Sequence, residues 1–140
     1  MIKTLYTASV TASGGRNGKV KSNDGVVDFE VRMPKALGGK DDNALNPELL
    51  FAAGYAACFD SALNMVLRQN RIKAETEVEA NVSIGQTEDG GFGLSSVLRV
   101  RVIGVELPIA KQMVDAAHGV CPYSNATKGN MSVELIVSNK

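Results

Sequence analysis

The stretch NPELLFAAGYAACF at residues 46–59 carries the start signals of a helix and then a long apolar run. Asn46 is a suitable N-cap, and Pro47 fits the first helical position, where no N–H is required. Glu48 lies near the positive end of the helix dipole. No charge follows in the rest of the stretch, so no face is reserved for water. The pattern predicts a core helix from Pro47 to about Arg71.

The remaining segments predict strands and one more helix, because apolar and polar residues alternate in most of them. Strands are predicted at Lys3–Ala12, Lys19–Ser22, Val27–Met33, Glu75–Ile84, Leu94–Ile103 and Met131–Ser138, and a helix at Ile109–Gly119. Turn signals between neighbouring strands favour antiparallel pairing, so we expect an α+β fold without βαβ units. A helix that is apolar all round needs cover from a second sheet or a second copy of the chain. We favour the dimer, because the strands are few and short.

Length and composition narrow the class of protein. The 140 residues suit a single domain, 1–140, large enough to fold without a disulfide or metal. Fifteen basic and fifteen acidic residues give no net charge, which gives no support for binding nucleic acid. We expect a cytoplasmic protein with no membrane span, because no signal peptide and no apolar run of ~18 residues is evident. One histidine is too few for a zinc-type His/Cys cluster.

Two cysteines are the candidate reactive groups, since thiols in a reducing compartment are more often reactive than structural. Cys58 alone is compatible with inert packing in an apolar helix. Cys121 stands where the second helix is broken before Pro122, among polar neighbours, and we expect it in a surface pocket. A buried thiol that faces a second thiol is the arrangement of a reactive and a resolving cysteine.

A reactive thiol also needs a nearby cation, because apolar surroundings oppose its ionisation. Arg16, in a glycine-flanked loop, is the stronger candidate, although it also fits an exposed hairpin arginine. His118 lies three residues before Cys121, so a Cys–His dyad is conceivable. An ordinary histidine at a helix end, favoured there by the dipole, is the simpler interpretation.

Three motifs together resemble the organic hydroperoxide resistance branch of the OsmC/Ohr family: GGRNG at 14–18, the stretch at 46–59, and VCPYSNATKGN at 120–130. The similarity runs almost end to end. It implies a thiol peroxidase that reduces alkyl and fatty-acid hydroperoxides, with dihydrolipoamide or a lipoylated protein as external reductant and no bound cofactor or metal. It also implies an intertwined homodimer with antiparallel sheets wrapped around central helices.

The same resemblance implies roles for four residues. Cys58 would be the peroxidatic cysteine and Cys121 the resolving one; Arg16 would stabilise the thiolate, and Glu48 would hold Arg16 by a charge-assisted pair. The family most often has Arg at the position of Lys128, a departure that keeps the charge but loses the forked donor. The spacing adds one expectation: Glu48 and Cys58 are ten residues apart, ~15 Å along a helix. We therefore predict that Arg16 and Glu48 serve the Cys58 of a second subunit.

Apolar neighbours are expected to favour organic peroxides over hydrogen peroxide. The candidates are Leu50, Phe51, Phe59 and Tyr123; each also fits plain core, which is the favoured interpretation for Leu50 and Phe59. Three other functions remain open at this point. They are an OsmC-type peroxidase of broader peroxide preference, a redox sensor or apolar-ligand binder that does not turn over, and a cysteine hydrolase.

Overall fold

The computed structural model describes residues 1–140, which form two compact units, Met1–Leu50 and Phe51–Lys140. The first unit is a three-stranded antiparallel sheet of β1 (Val10–Ser13), β2 (Gly18–Ser22) and β3 (Asp28–Val31). A 3-10 turn, Gly15–Asn17, joins β1 to β2. Another 3-10 turn, Lys35–Leu37, lies in the segment before the central helix.

The predicted first strand is wrong over most of its length. Residues 1–9 are exposed and belong to no strand. The reason lies in the partner strand: β2 ends at Ser22, which pairs with Val10, so no strand of this unit continues beside the earlier residues. Alternation alone does not make a strand where the backbone has nothing to pair with.

The central helix, α1, runs from Pro47 to Gln69, as the sequence predicts. It is followed by β4 (Glu75–Gln86), β5 (Phe92–Ile103), α2 (Leu107–Val120), α3 (Pro122–Thr127) and β6 (Val133–Ser138). β4 and β5 form a long antiparallel hairpin, and its apolar face alternates as predicted. The α+β class is therefore confirmed, and the strands form two sheets.

One pairing differs from the prediction. β6 runs parallel to β5, from Ser96 opposite Val133 to Arg101 opposite Ser138. The connection between these strands contains α2 and α3, which return the chain to the starting end of β5. A helical crossover of this kind is what a parallel pair requires. The expectation of antiparallel pairing without a βαβ unit is wrong at this place.

The core of the second unit lies between its sheet, α1 and α2. Its fully or almost fully buried members include Tyr55, Phe59, Leu63, Leu67, Leu98, Val100, Val102, Val114 and Ala117. The buried face of α2 begins at Ala110 rather than at the predicted Ile109, which is 37% exposed. This packing places the end of α2 and the start of α3 beside the middle of α1.

The expectation that α1 is buried on every side is not met within one chain. Ala53, Ala57 and Ser61 are exposed at four-residue spacing, and Met65, next in that series, is 37% exposed. By length and composition alone the helix would suffice to cross a membrane, with a mean hydropathy of 1.4. Its opposite face, however, supplies the core just described, and Asp60 accepts a hydrogen bond from Thr76 at its middle. We interpret α1 as a core helix with one uncovered side.

Candidate active site

Cys58 lies in the middle of α1 and is half-buried. Phe59, next to it, is fully buried in the core. Cys58 therefore lies at the border between the packed interior and the accessible surface. A sulfur in this position can be reached by a small molecule while it is still partly shielded from water.

Cys121 is fully buried and belongs to the core, so the expectation of a surface pocket around it is wrong. It forms the junction of two helices: its N–H donates to the Ala117 carbonyl at 2.8 Å and ends α2, and Pro122 then begins α3. The polar residues that suggested exposure sit on α3, which folds back over the junction. Of these, Ser124 is itself 2% exposed.

The two thiols are in contact. Both cysteines are free, and the Cys121 thiol donates toward the Cys58 sulfur with the two Sγ atoms 3.7 Å apart. A disulfide needs a separation of ~2.05 Å, so the two Sγ atoms must move closer together before they can bond.

Burial raises the pKa of the Cys58 thiol above its usual value. Loss of hydration is the main cause, and the adjacent Cys121 adds to it. The backbone N–H of Tyr123, near the start of α3, works in the opposite direction because it favours the anion. The thiolate form of Cys58 is therefore disfavoured by the surroundings within this unit.

Arg16 and Glu48 form a two-pronged ion pair within the first unit. Nη1 donates to Oε2 at 2.9 Å and Nη2 to Oε1 at 2.6 Å. This hydrogen-bonded guanidinium is the main cause of a lowered Glu48 pKa, and the carboxylate correspondingly raises the pKa of Arg16. The pair that the family resemblance implied is present in the structure.

The hairpin that carries Arg16 depends on its glycines. Gly14 and Gly15 have φ of 78° and 58°, in the left-handed region that side chains rarely adopt. A Cβ on Gly18 would lie 1.8 Å from the Ser13 carbonyl oxygen. Nη1 of Arg32 donates to the Gly18 carbonyl at 2.9 Å and secures the end of the turn. The GGRNG motif is thus a tight turn that presents one arginine.

A pocket of about 700 Å³ lies in the second unit. Phe51 and Tyr123, two of the four predicted pocket residues, line it. Phe59 is core instead, and half-buried Leu50 ends the first unit and is not among the lining residues. The sequence interpretation missed the other side of the pocket, which includes Thr87, Phe92, Leu94, Asn130 and Met131. Phe92, an aromatic residue directly after the Glu88–Gly91 turn and 72% exposed, was the available signal.

Neither Cys58 nor Cys121 lines this pocket, but aromatic rings connect it to the helix of Cys58. The Phe51 and Tyr123 centroids are 6.1 Å apart, and those of Tyr55 and Tyr123 are 5.7 Å apart. His118, the other candidate partner of a thiol, instead places Nδ1 2.8 Å from Ser124 Oγ. A Cys–His dyad therefore receives no support. No three His, Cys, Asp or Glu side chains converge to hold a metal ion.

Comparison with known proteins agrees with this geometry. Residues 39–136 match the family model described as OsmC-like protein. Over 140 residues the chain is 52% identical to the organic hydroperoxide resistance protein OhrA of Bacillus subtilis, covering 99% of each sequence. The chain belongs to the OsmC/Ohr family.

Solved structures support the assignment to the hydroperoxide resistance branch of the OsmC/Ohr family. An organic hydroperoxide resistance protein from Elizabethkingia anophelis, crystallised with thiocyanate bound, is 58% identical with a TM-score of 0.96, over 99% of this chain and 100% of that one. OhrB of Bacillus subtilis is 46% identical with a TM-score of 0.89, over 96% and 100%. The resemblance recognised from the three motifs is confirmed.

Gly54, on α1 one turn before Cys58, gives this OsmC/Ohr chain room for the Tyr123 ring. A Cβ there would lie 2.6 Å from the Tyr123 hydroxyl oxygen and 3.1 Å from Cζ. Any side chain at this position must push the ring away. Tyr123 also lines the pocket and directs its backbone N–H to Cys58. The packing at Gly54 therefore affects both the pocket and the surroundings of Cys58.

We predict that Gly54→Ala lowers the free energy of unfolding, although alanine favours a helix interior by ~1 kcal/mol. The clash with Tyr123 is an overpacking cost of ~1–3 kcal/mol, which exceeds that gain. Gly119→Ala is the matched control on α2, where nothing lies within 4 Å of the added Cβ. Urea unfolding measures both, and equal stability of the two variants would contradict the prediction.

We also predict that the Arg16–Glu48 pair is lost in acid. The folded-state pKa of Glu48 is lowered, so its contribution to stability is complete above the ordinary glutamate pKa of ~4.3 and disappears as the pH falls through the lower folded value. A carboxyl carbon NMR titration measures this pKa directly. In Arg16→Ala the Glu48 pKa should move upward; an unchanged titration would show that Arg16 is not the cause.

Proposed function

We propose that this OsmC/Ohr protein is a thiol peroxidase that reduces organic hydroperoxides to alcohols. The observation that carries the proposal is the 3.7 Å contact between a half-buried and a fully buried free thiol, Cys58 and Cys121. A buried sulfur within reach of a more accessible one suits a resolving partner that waits for the first to be oxidised. The names of the relatives, organic hydroperoxide resistance proteins, support the same chemistry.

The reaction begins at Cys58, the more accessible sulfur. Its thiolate attacks the distal peroxide oxygen, which carries the hydrogen, the O–O bond breaks, and the departing alkoxide takes up a proton as the alcohol. The enzyme is left with a sulfenic acid on Cys58. The Cys121 thiol then displaces that hydroxyl, which forms the disulfide and releases water. A lipoyl dithiol, dihydrolipoamide or a lipoylated protein, reopens the disulfide by exchange and is itself oxidised.

The first step requires a counter-charge, because burial raises the Cys58 pKa. We assign this role to Arg16, whose guanidinium donates two hydrogen bonds to the Glu48 carboxylate. A guanidinium held in this way keeps further N–H donors for a thiolate or a peroxide oxygen. Glu48 thereby orients the cation and does not take part in electron transfer.

The helix geometry favours a homodimer as the active form. Along α1 the ten-residue interval from Glu48 to Cys58 is a rise of ~15 Å. An arginine bonded to Glu48 is therefore better placed for the Cys58 of a second subunit. The exposed Ala53 and Ala57 on the uncovered side of α1 are small, which suits close approach of another helix.

The pocket supports a preference for organic peroxides. Phe51, Phe92 and Leu94 give it apolar walls, and Thr87 and Asn130 add a few polar groups. An alkyl or fatty-acyl tail gains ~25 cal/mol per Å² of apolar surface removed from water, and hydrogen peroxide has no such surface. The gain applies to binding before the chemical step and so discriminates between the two substrates.

The decisive experiment follows peroxide consumption with dihydrolipoamide supplied. We expect many turnovers with cumene or fatty-acid hydroperoxide, and a smaller kcat/KM for hydrogen peroxide. Cys58→Ser should abolish turnover, and Cys121→Ser should consume one equivalent and stop. Comparable rates on both peroxides would indicate an OsmC-type enzyme of broader preference. A single oxidation without turnover in the wild type would indicate a redox sensor instead.

The two-subunit site predicts opposite results for two mixtures of chains. A heterodimer of Cys58→Ser with Arg16→Ala should recover activity, because one Cys58 then meets an intact Arg16. A heterodimer of wild type with the double variant Cys58→Ser/Arg16→Ala should be inactive, because its one Cys58 faces the substituted residue. Differently tagged chains, refolded together and purified by both tags, provide the samples. The reverse pattern would place each site within one chain.

A further inference from the structure

A chain of hydrogen-bonded side chains, two buried and one half-buried, runs beside the two thiols. The Tyr55 hydroxyl lies 2.8 Å from Ser124 Oγ, which in turn lies 2.8 Å from His118 Nδ1. Tyr55 is fully buried and Ser124 is 2% exposed. The three residues come from three elements, α1, α3 and α2 respectively. The proposed peroxidase mechanism gives none of them a role.

These hydroxyls are in register with the sulfurs. Tyr55 precedes Cys58 by three residues on α1, and Ser124, on α3, follows by three residues Cys121, which caps that helix. Residues three apart on a helix lie on the same face, one turn from each other. The Tyr55–Ser124 hydrogen bond therefore joins the same two segments as the sulfur contact, one turn away from it.

The short helix α3 needs such an anchor. Six residues are too few for a helix to be stable by itself, so its position depends on its contacts. Ser124 bonds α1 through Tyr55 and α2 through His118, and the Thr127 hydroxyl donates to the Ser124 carbonyl at 3.1 Å. Loss of the Ser124 hydroxyl would leave a buried Tyr55 hydroxyl with only Thr127 at 3.5 Å.

We propose that Ser124, held between Tyr55 and His118, is the positioning residue for disulfide formation between Cys58 and Cys121. The inference rests on the proposed peroxidase function and adds a residue to its second step. In that step the Cys121 sulfur loses its proton and bonds to Cys58, whose sulfenic hydroxyl leaves as water. The hydrogen bond keeps α3 close to α1 while the sulfurs close the remaining gap.

The test separates the two steps. Reduced protein is mixed with one equivalent of cumene hydroperoxide and quenched over time. Dimedone trapping then measures sulfenic acid, and intact mass after alkylation measures disulfide. In Ser124→Ala we expect disulfide formation to slow by about tenfold more than sulfenic acid formation, since misplaced reacting groups lose on the order of 10- to 100-fold. Excess peroxide should then convert more Cys58 to sulfinic acid.

Matched variants show whether the hydrogen bond itself is responsible. Tyr55→Phe removes the same bond from the other side, and the double variant should be no slower than the worse single variant. Ser96→Ala is the control, because Ser96 is a 3% exposed serine on β5 whose hydroxyl has no hydrogen-bond partner. Its disulfide step should match the wild type. Equal rates in Ser124→Ala, Tyr55→Phe and Ser96→Ala would overturn the proposal.

A second measurement does not depend on peroxide chemistry. Equilibration in a dithiothreitol redox buffer gives the stability of the Cys58–Cys121 disulfide. Ser124→Ala should shift it about tenfold toward the dithiol, since the effective concentration of one thiol at the other falls when α3 is released. If the wild type consumed no peroxide but this shift appeared, the function would fail and the positioning role would stand. Active wild type without either effect would leave the function intact and overturn this inference.

Discussion

Burial of the Cys58 sulfur opposes its ionisation, and the proposed reaction needs the ionised form. The second unit provides an apolar neighbourhood and a second thiol, both of which favour the neutral form. Within this unit, the backbone N–H of Tyr123 favours the Cys58 thiolate. The counter-charge that we propose for it, Arg16, belongs to the first unit, where it lies on a glycine turn and donates two hydrogen bonds to Glu48. The proposed charge partner is therefore remote from the sulfur along the chain.

Several features of this arrangement were accessible from the sequence. The apolar stretch from Pro47, the hairpin of β4 and β5, and the break at Cys121 each have a local cause, and each was predicted within a few residues. The Arg16–Glu48 pair came from the family motifs and not from periodicity. Local signals sufficed wherever a residue's conformation depends mainly on its neighbours in sequence.

Other features required the tertiary structure. The direction of β6 depends on where the α2–α3 crossover returns the chain. The residues of β6 themselves do not indicate this direction. Cys121 has polar neighbours in sequence and is nevertheless buried, because it joins the core formed by α1, α2 and the sheet. The pocket likewise combines a helix, a hairpin and the segment before β6, so Phe92 and Met131 could not be grouped with Phe51 in advance.

The aromatic residues have a practical consequence for observing the protein. The chain has no tryptophan and three tyrosines, and two of these, Tyr55 and Tyr123, have ring centroids 5.7 Å apart beside the thiol pair. The third, Tyr6, is 82% exposed and lies in the N-terminal segment, far in sequence from the other two. The ultraviolet fluorescence of the protein therefore comes mainly from three tyrosine side chains, two of which lie beside the sulfurs. Oxidation that moves α3 should alter their quantum yield, which gives the molecule an intrinsic optical reporter that needs no label.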